Sequence, residues 1–113
     1  LVGSPRVKIN YDTANAVFYG GVNVTEDLKN CVDEVAYMHL KDKAGAQKEW
    51  NFPALGEGEL DFPAVFEVLR GAENNCPFSV EIEFTEKGPR DLQEINEAVK
   101  TSALYLKKAG FEL

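Results

Sequence analysis

Tyr37-Met38-His39-Leu40-Lys41-Asp42 is the stretch that decides how this chain of 113 residues folds. Alternation along an extended chain puts Tyr37, His39 and Lys41 on one face and Met38 and Leu40 on the other. The strand is predicted over 35–40. Parallel strands buried on both sides read as continuous apolar runs, and this one does not. It offers one apolar face for packing and keeps the other for polar groups.

The same division appears on either side of it. Upstream, a strand is predicted over 6–11, with Val7, Ile9 and Tyr11 on one face and Lys8, Asn10 and Asp12 on the other. Downstream, a strand is predicted over 78–84, with Val80, Ile82 and Phe84 opposite Ser79, Glu81 and Glu83. Asp12-Thr13-Ala14-Asn15 reads as a turn-prone cluster closing the first strand. A helix is expected from Asn23, whose side chain caps it with Glu26 three residues on. Val24, Leu28, Val32 and Val35 form its apolar stripe. A loop over 41–60 contains Gly56-Glu57-Gly58. That element has no dinucleotide or P-loop spacing, so it is a weak phosphate signal. Trp50 and Phe52 read as lid or packing residues of the loop.

The next helix is expected from Asp61 as N-cap, with Pro63 in its first turn. Its stripe is Phe62, Val65, Phe66 and Leu69. The last helix spans about 91–109, with Leu92, Ile95, Val99, Ala103 and Leu106 as its stripe and Gly110 at C′. The order βαβαβα predicts an α/β fold with parallel strands and a single domain over 1–113. Polar residues on the inner strand faces suit a barrel lumen better than an open sheet, where helices would bury Lys8 and Glu83.

Composition narrows the function. Nineteen acidic against twelve basic residues give a net charge of −7. Nucleic-acid backbones and anionic membrane surfaces are poor partners for such a chain. No apolar run approaches the roughly 18 residues of a membrane span. Cys31 and Cys76 match no CxxC spacing and read as reduced thiols of a cytoplasmic protein.

Each predicted strand ends near one metal-capable group: Asp12, His39 and Glu81. Taken singly, Asp12 reads as a turn residue, His39 as a core group and Glu81 with Glu83 as a solvated face. Their coincidence at one level of three adjacent strands points instead to a divalent metal site. Oxygen donors with one imidazole suit Mn²⁺, Mg²⁺, Co²⁺ or Zn²⁺.

At these residues the sequence resembles the xylose isomerase-like TIM-barrel superfamily of sugar-phosphate isomerases and epimerases. The resemblance rests on Asn10-Tyr11-Asp12-Thr13-Ala14-Asn15, Tyr37-Met38-His39-Leu40-Lys41-Asp42, Gly56-Glu57-Gly58-Glu59-Leu60-Asp61-Phe62-Pro63 and Ser79-Val80-Glu81-Ile82-Glu83. Their order is that of the last three strands of a (β/α)₈ barrel, so the resemblance implies a partial barrel of three C-terminal βα units. It implies Asp12, His39 and Glu81 as metal ligands, with Glu81 also a catalytic acid/base. It makes Asn15, Lys41, Asp42 and Glu83 candidate substrate contacts, with Lys41 and Asp42 alternatively ordering the loop.

The implied activity is proton transfer next to a carbonyl through a metal-stabilised enediolate, on a sugar or sugar phosphate. The alternatives are an inosose dehydratase-like lyase and a non-catalytic truncated barrel. A repair nuclease of the same superfamily is disfavoured by the charge. A full barrel needs about 250 residues. The chain, which opens at Leu1 without an initiator Met or signal-peptide core, is therefore expected to be a C-terminal fragment, inactive alone. Its exposed sheet edges are expected to pair with further copies or with the missing N-terminal strands.

Overall fold

The computed structural model describes residues 3–113. Three parallel strands form the main sheet: β1 (Ile9–Asp12), β2 (Val35–Leu40) and a third at Phe78–Val80. Two short strands form a separate antiparallel ribbon. In chain order these are β3 (Asn51–Phe52), β4 (Phe78–Val80) and β5 (Phe84–Thr85), and the main sheet runs β1-β2-β4. The helices are α1 (Thr13–Gly20), α2 (Val24–Cys31), α3 (Phe62–Gly71) and α4 (Leu92–Lys108). A single 3₁₀ turn, Val32–Glu34, leads into β2.

Helix α1 corrects the turn expected at Asp12–Asn15. Asp12 is an N-cap, not a turn residue: its carboxylate accepts from the Asn15 N–H at 2.9 Å. Ala14 and Ala16 carry the helix onward, and Gly21 at φ 62° ends it, its N–H returning to Val17 O. The caps at Asn23 and Asp61 stand where the sequence placed them, and Asp91 caps α4, each accepting a backbone N–H three residues on. Val24, Leu28, Val32 and Val35 are all buried as expected, although the helix ends at Cys31 and Val35 already belongs to β2.

The core lies on the Met38 and Leu40 face of β2. Leu28 from α2, Phe62, Val65 and Phe66 from α3, and Leu106 from α4 close over it. At about 25 cal/mol per Å² of apolar surface, each such side chain contributes roughly 1.5–3 kcal/mol. Tyr11 adds a polar tie, donating its hydroxyl to Asp27 Oδ2 at 2.7 Å and so fastening β1 to α2.

That tie makes stability fall at high pH. Burial first, then the hydrogen bond and charge of Asp27, push the Tyr11 phenol well above its usual range. The folded state therefore keeps a proton that the unfolded chain releases near pH 10. With more protons bound in the folded state, stability decreases as pH rises beyond about 10. Urea midpoints between pH 8 and 11 should show this decline, and Tyr11→Phe should flatten it while costing about 1 kcal/mol at pH 8. A decline unchanged in the variant would assign it elsewhere.

Three further expectations need correcting. Strand β1 starts at Ile9, where pairing with β2 begins opposite Val35, and Val7 and Ile9 stay 53% and 38% exposed. Lys8 pairs with Glu34 at 2.7 Å on the surface instead of crossing a lumen. The third strand breaks after Val80 and resumes as β5, with Phe84 in the left-handed region at φ 60°. This break lets β5 turn and pair with β3, which the loop reading of 41–60 had not contained.

The stripe of α4 is buried only in part. Leu106 is covered, but Leu92 is 70% and Val99 55% exposed. Val99 and Ile95 line an open cavity of about 440 Å³ with Val80, Ile82, Phe84 and Leu106. The helix carries a face for a neighbour that the β4 edge does not supply. A slab of 44 × 32 × 23 Å results, with a radius of gyration of 14.4 Å. A closed domain of this length would have about 13 Å.

Candidate metal centre

Register builds the site. In the parallel sheet Asp12 lies opposite His39, and His39 opposite Ser79. Glu81 follows two residues later, held in line by its N–H to Leu40 O at 3.0 Å. The three groups therefore meet at the carboxyl ends of adjacent strands, where α/β folds bind ligands. One ligand atom from each of Asp12, His39 and Glu81 lies within 4.8 Å of the other two. His39 Nδ1 is 3.3 Å from Glu81 Oε2 and 3.8 Å from Asp12 Oδ2.

Asp12 serves two structures at once. Its Oδ1 caps α1, which leaves Oδ2 turned to His39 and Lys41. The helix thus fixes the carboxylate that the site uses. Tyr37 lies one step back on the same face and meets the His39 ring edge-on, centroids 5.8 Å apart.

Lys41 sits among the carboxylates, its side chain only 3% exposed. Its ammonium is 2.9 Å from Glu83, 3.6 Å from Asp12 and 3.7 Å from Glu81. It also lies over the Phe52 ring, 4.8 Å from the centroid. Burial works against its charge, but the hydrogen bond to Glu83 and the charges of Asp12, Glu81 and Glu83 outweigh burial, and its pKa is raised. Three carboxylates and one ammonium leave a net negative site, which favours a divalent cation. The donor set, two carboxylate oxygens and one imidazole nitrogen, fits such an ion.

Thr13 is the residue that sequence reading missed. It is fully buried, and its hydroxyl donates to Lys41 O at 2.7 Å and accepts from Lys41 N at 3.0 Å. It locks the start of α1 to the end of β2. Its position directly after the capping Asp12 was the available signal. Phe52 was noticed in the sequence only as a lid or packing residue, and here it is the wall behind Lys41.

Asp42 takes the loop-ordering role of the two the sequence left open. It is fully buried, and its oxygens accept from the N–H groups of Lys43, Gly56, Gly58 and Leu60 at 2.8–3.2 Å. A Cβ at Gly58 would come within 2.2 Å of Asp42 Oδ1, so only glycine lets the loop close on this carboxylate. Asn15, on the first turn of α1, is half-buried beside the Asp12 cap. Glu83 is the direct partner of Lys41.

Alternating parallel strands and helices with three metal-capable groups at their carboxyl ends define a TIM-barrel type of α/β site. Residues 1–109 match the xylose isomerase-like TIM barrel family, and the chain belongs to that family. It is 28% identical over 115 residues to the putative L-ribulose-5-phosphate 3-epimerase SgbU of Escherichia coli (strain K12), covering 98% of this chain and 40% of that protein. It is 30% identical over 124 residues to an inosose dehydratase of Clostridium botulinum (strain Eklund 17B / Type B), covering 92% and 39%. Among solved structures it resembles a xylose isomerase domain protein from Planctomyces limnophilus, with a TM-score of 0.76 and 29% identity over 96% of this chain and 39% of that one. The chain thus spans about two fifths of the length of these relatives. No helix among the described residues is long and apolar enough to cross a membrane.

Proposed function

We propose that this chain carries the metal-binding part of an isomerase or epimerase active site for sugars or sugar phosphates, in a cytoplasmic protein. The observation that carries this reading is the convergence of Asp12, His39 and Glu81 within 4.8 Å at the ends of three strands. A divalent ion held there would supply a Lewis acid that polarises the substrate carbonyl. The chain's own residues do the rest. Glu81 takes the proton from the carbon next to the carbonyl and returns it. Lys41, fixed by Glu83 and Phe52, donates to a substrate oxygen as negative charge develops on it. Asn15, on the first turn of α1 beside the Asp12 cap, orients a hydroxyl.

One carboxylate suffices to exchange a proton with solvent, whereas inverting a carbon needs a second one on the opposite face. The expected result in D₂O is therefore deuterium uptake by L-ribulose next to its carbonyl, followed by proton NMR, with no net epimerisation. Glu81→Gln should abolish the uptake. Uptake equal in the variant, or none in the Mn²⁺-supplemented protein, would overturn this assignment. The inosose dehydratase relatives support a second reading, a lyase. It shares the proton abstraction but continues to loss of water, which the same spectra would reveal with an inosose as substrate.

A further inference from the structure

We propose that the Lys41 ammonium competes with the divalent ion for Asp12 and Glu81, and that it yields both to the ion and turns to Glu83. The inference rests on the isomerase reading and adds the exchange of partners by which the site is prepared for substrate.

Lys41 and His39 approach the same two oxygens. Asp12 Oδ2 is 3.8 Å from His39 Nδ1 and 3.6 Å from Lys41 Nζ. Glu81 Oε2 is 3.3 Å from the imidazole and 3.7 Å from the ammonium. A cation drawn to these oxygens therefore meets one that is already there. Like charges this close repel strongly where little water intervenes, and the Lys41 side chain is only 3% exposed. Linkage makes the effect mutual: each cation weakens the hold of the site on the other.

Two features make this an exchange and not a block. Glu83 Oε2, at 2.9 Å, is nearer the ammonium than either of the other carboxylates, and the Phe52 ring lies 4.8 Å from it. Lys41 thus keeps a charged partner after yielding Asp12 and Glu81, which a buried ammonium requires. Its backbone stays in place, because Thr13 Oγ1 bonds Lys41 O at 2.7 Å and Lys41 N at 3.0 Å. Only the end of the side chain turns. An ammonium has three N–H donors. Those not taken by Glu83 are then left for a substrate oxygen, the role that the isomerase reading gives Lys41.

The carboxylates do not need Lys41 to hold their places. Asp12 is fixed through Oδ1, which accepts from Asn15 N at 2.9 Å, and Glu81 through its own N–H to Leu40 O at 3.0 Å. Removing the ammonium takes away a repulsion and leaves the donors ordered. A lysine whose task was to organise the carboxylates predicts the opposite sign, a loss of metal affinity without it.

The test is calorimetric titration with Mn²⁺ of the wild-type chain, Lys41→Met, Lys41→Arg, Glu83→Gln and the Lys41→Met/Glu83→Gln double variant. Lys41→Met should bind at least ~10-fold more tightly than wild type, about 1.4 kcal/mol. Lys41→Arg keeps the charge and should gain nothing. Glu83→Gln should weaken binding more in the wild-type background than beside Lys41→Met, since its carboxylate acts through the lysine. Equal or weaker binding by Lys41→Met, or equal losses from Glu83→Gln in both backgrounds, would overturn the inference while the isomerase reading stands. So would a Lys41→Met chain whose circular dichroism stays that of an unfolded protein at saturating Mn²⁺, which would make Lys41 a residue of the core. No binding of Mn²⁺ by any of the five, wild type included, would overturn both.

Discussion

Asp42→Ala will cost this protein about 3–5 kcal/mol of stability, enough to unfold a domain of ordinary stability at the lower end of 5–15 kcal/mol. The substitution removes one carboxylate but orphans four backbone donors, those of Lys43, Gly56, Gly58 and Leu60. Each buried, unmatched N–H costs about 1–3 kcal/mol, and water reaching the loosened loop recovers part of it. Leu60 leads directly into the Asp61 cap of α3, and Phe62 is fully buried, so the damage spreads into the core. Asp42→Asn keeps one acceptor oxygen and should fall between wild type and alanine. Urea denaturation measures the loss, and amide exchange at Gly56, Gly58 and Leu60 locates it. An alanine variant within about 1 kcal/mol of wild type would show that the loop stands without its carboxylate.

His39→Ala will lower the affinity for Mn²⁺ or Co²⁺ by at least ~100-fold. Even residues that only support metal ligands cost 10–100-fold when replaced. Three protein ligands leave little margin, and removing the single imidazole leaves two carboxylates around a cationic Lys41. Asp12→Asn should act similarly but also disturb α1, because the same side chain caps that helix. His39 is therefore the cleaner test. It is partly exposed and caps nothing, so its removal should leave the urea midpoint nearly unchanged. Calorimetry with one ion per chain in wild type and no measurable heat in the variant is the expected result. Equal binding by both proteins would place the ion elsewhere.

The linear pattern was sufficient wherever a local rule had one outcome. Alternation over 35–40 fixed which residues share a face, and β2 has the predicted limits. Asn23, Asp61 and Asp91 cap helices because each precedes an apolar-periodic run with a free backbone N–H three residues on. The clustering of Asp12, His39 and Glu81 was legible too, since each stood near the end of a strand with a polar face. The resemblance to the family was read from the same stretches, and residues 1–109 match it.

Tertiary structure decided what no local pattern encodes. A turn cluster and a capped helix look alike at Asp12–Asn15. Packing of the following residues, with Thr13 bonded to Lys41 across 28 positions, selected the helix. The periodicity of α4 correctly marked an apolar stripe, but burial needs a partner surface, and among the described residues none beyond β4 covers Val99. The role of Asp42 depended on Gly56, Gly58 and Leu60 returning to it from up to 18 residues away. The sequence by itself therefore determined the α/β class, the caps at Asn23 and Asp61 and the meeting of three metal-capable groups, because these follow from spacing along the chain. Only the folded chain decided which carboxylates share Lys41 and which one is sealed inside the loop, because those contacts are made between segments far apart in sequence.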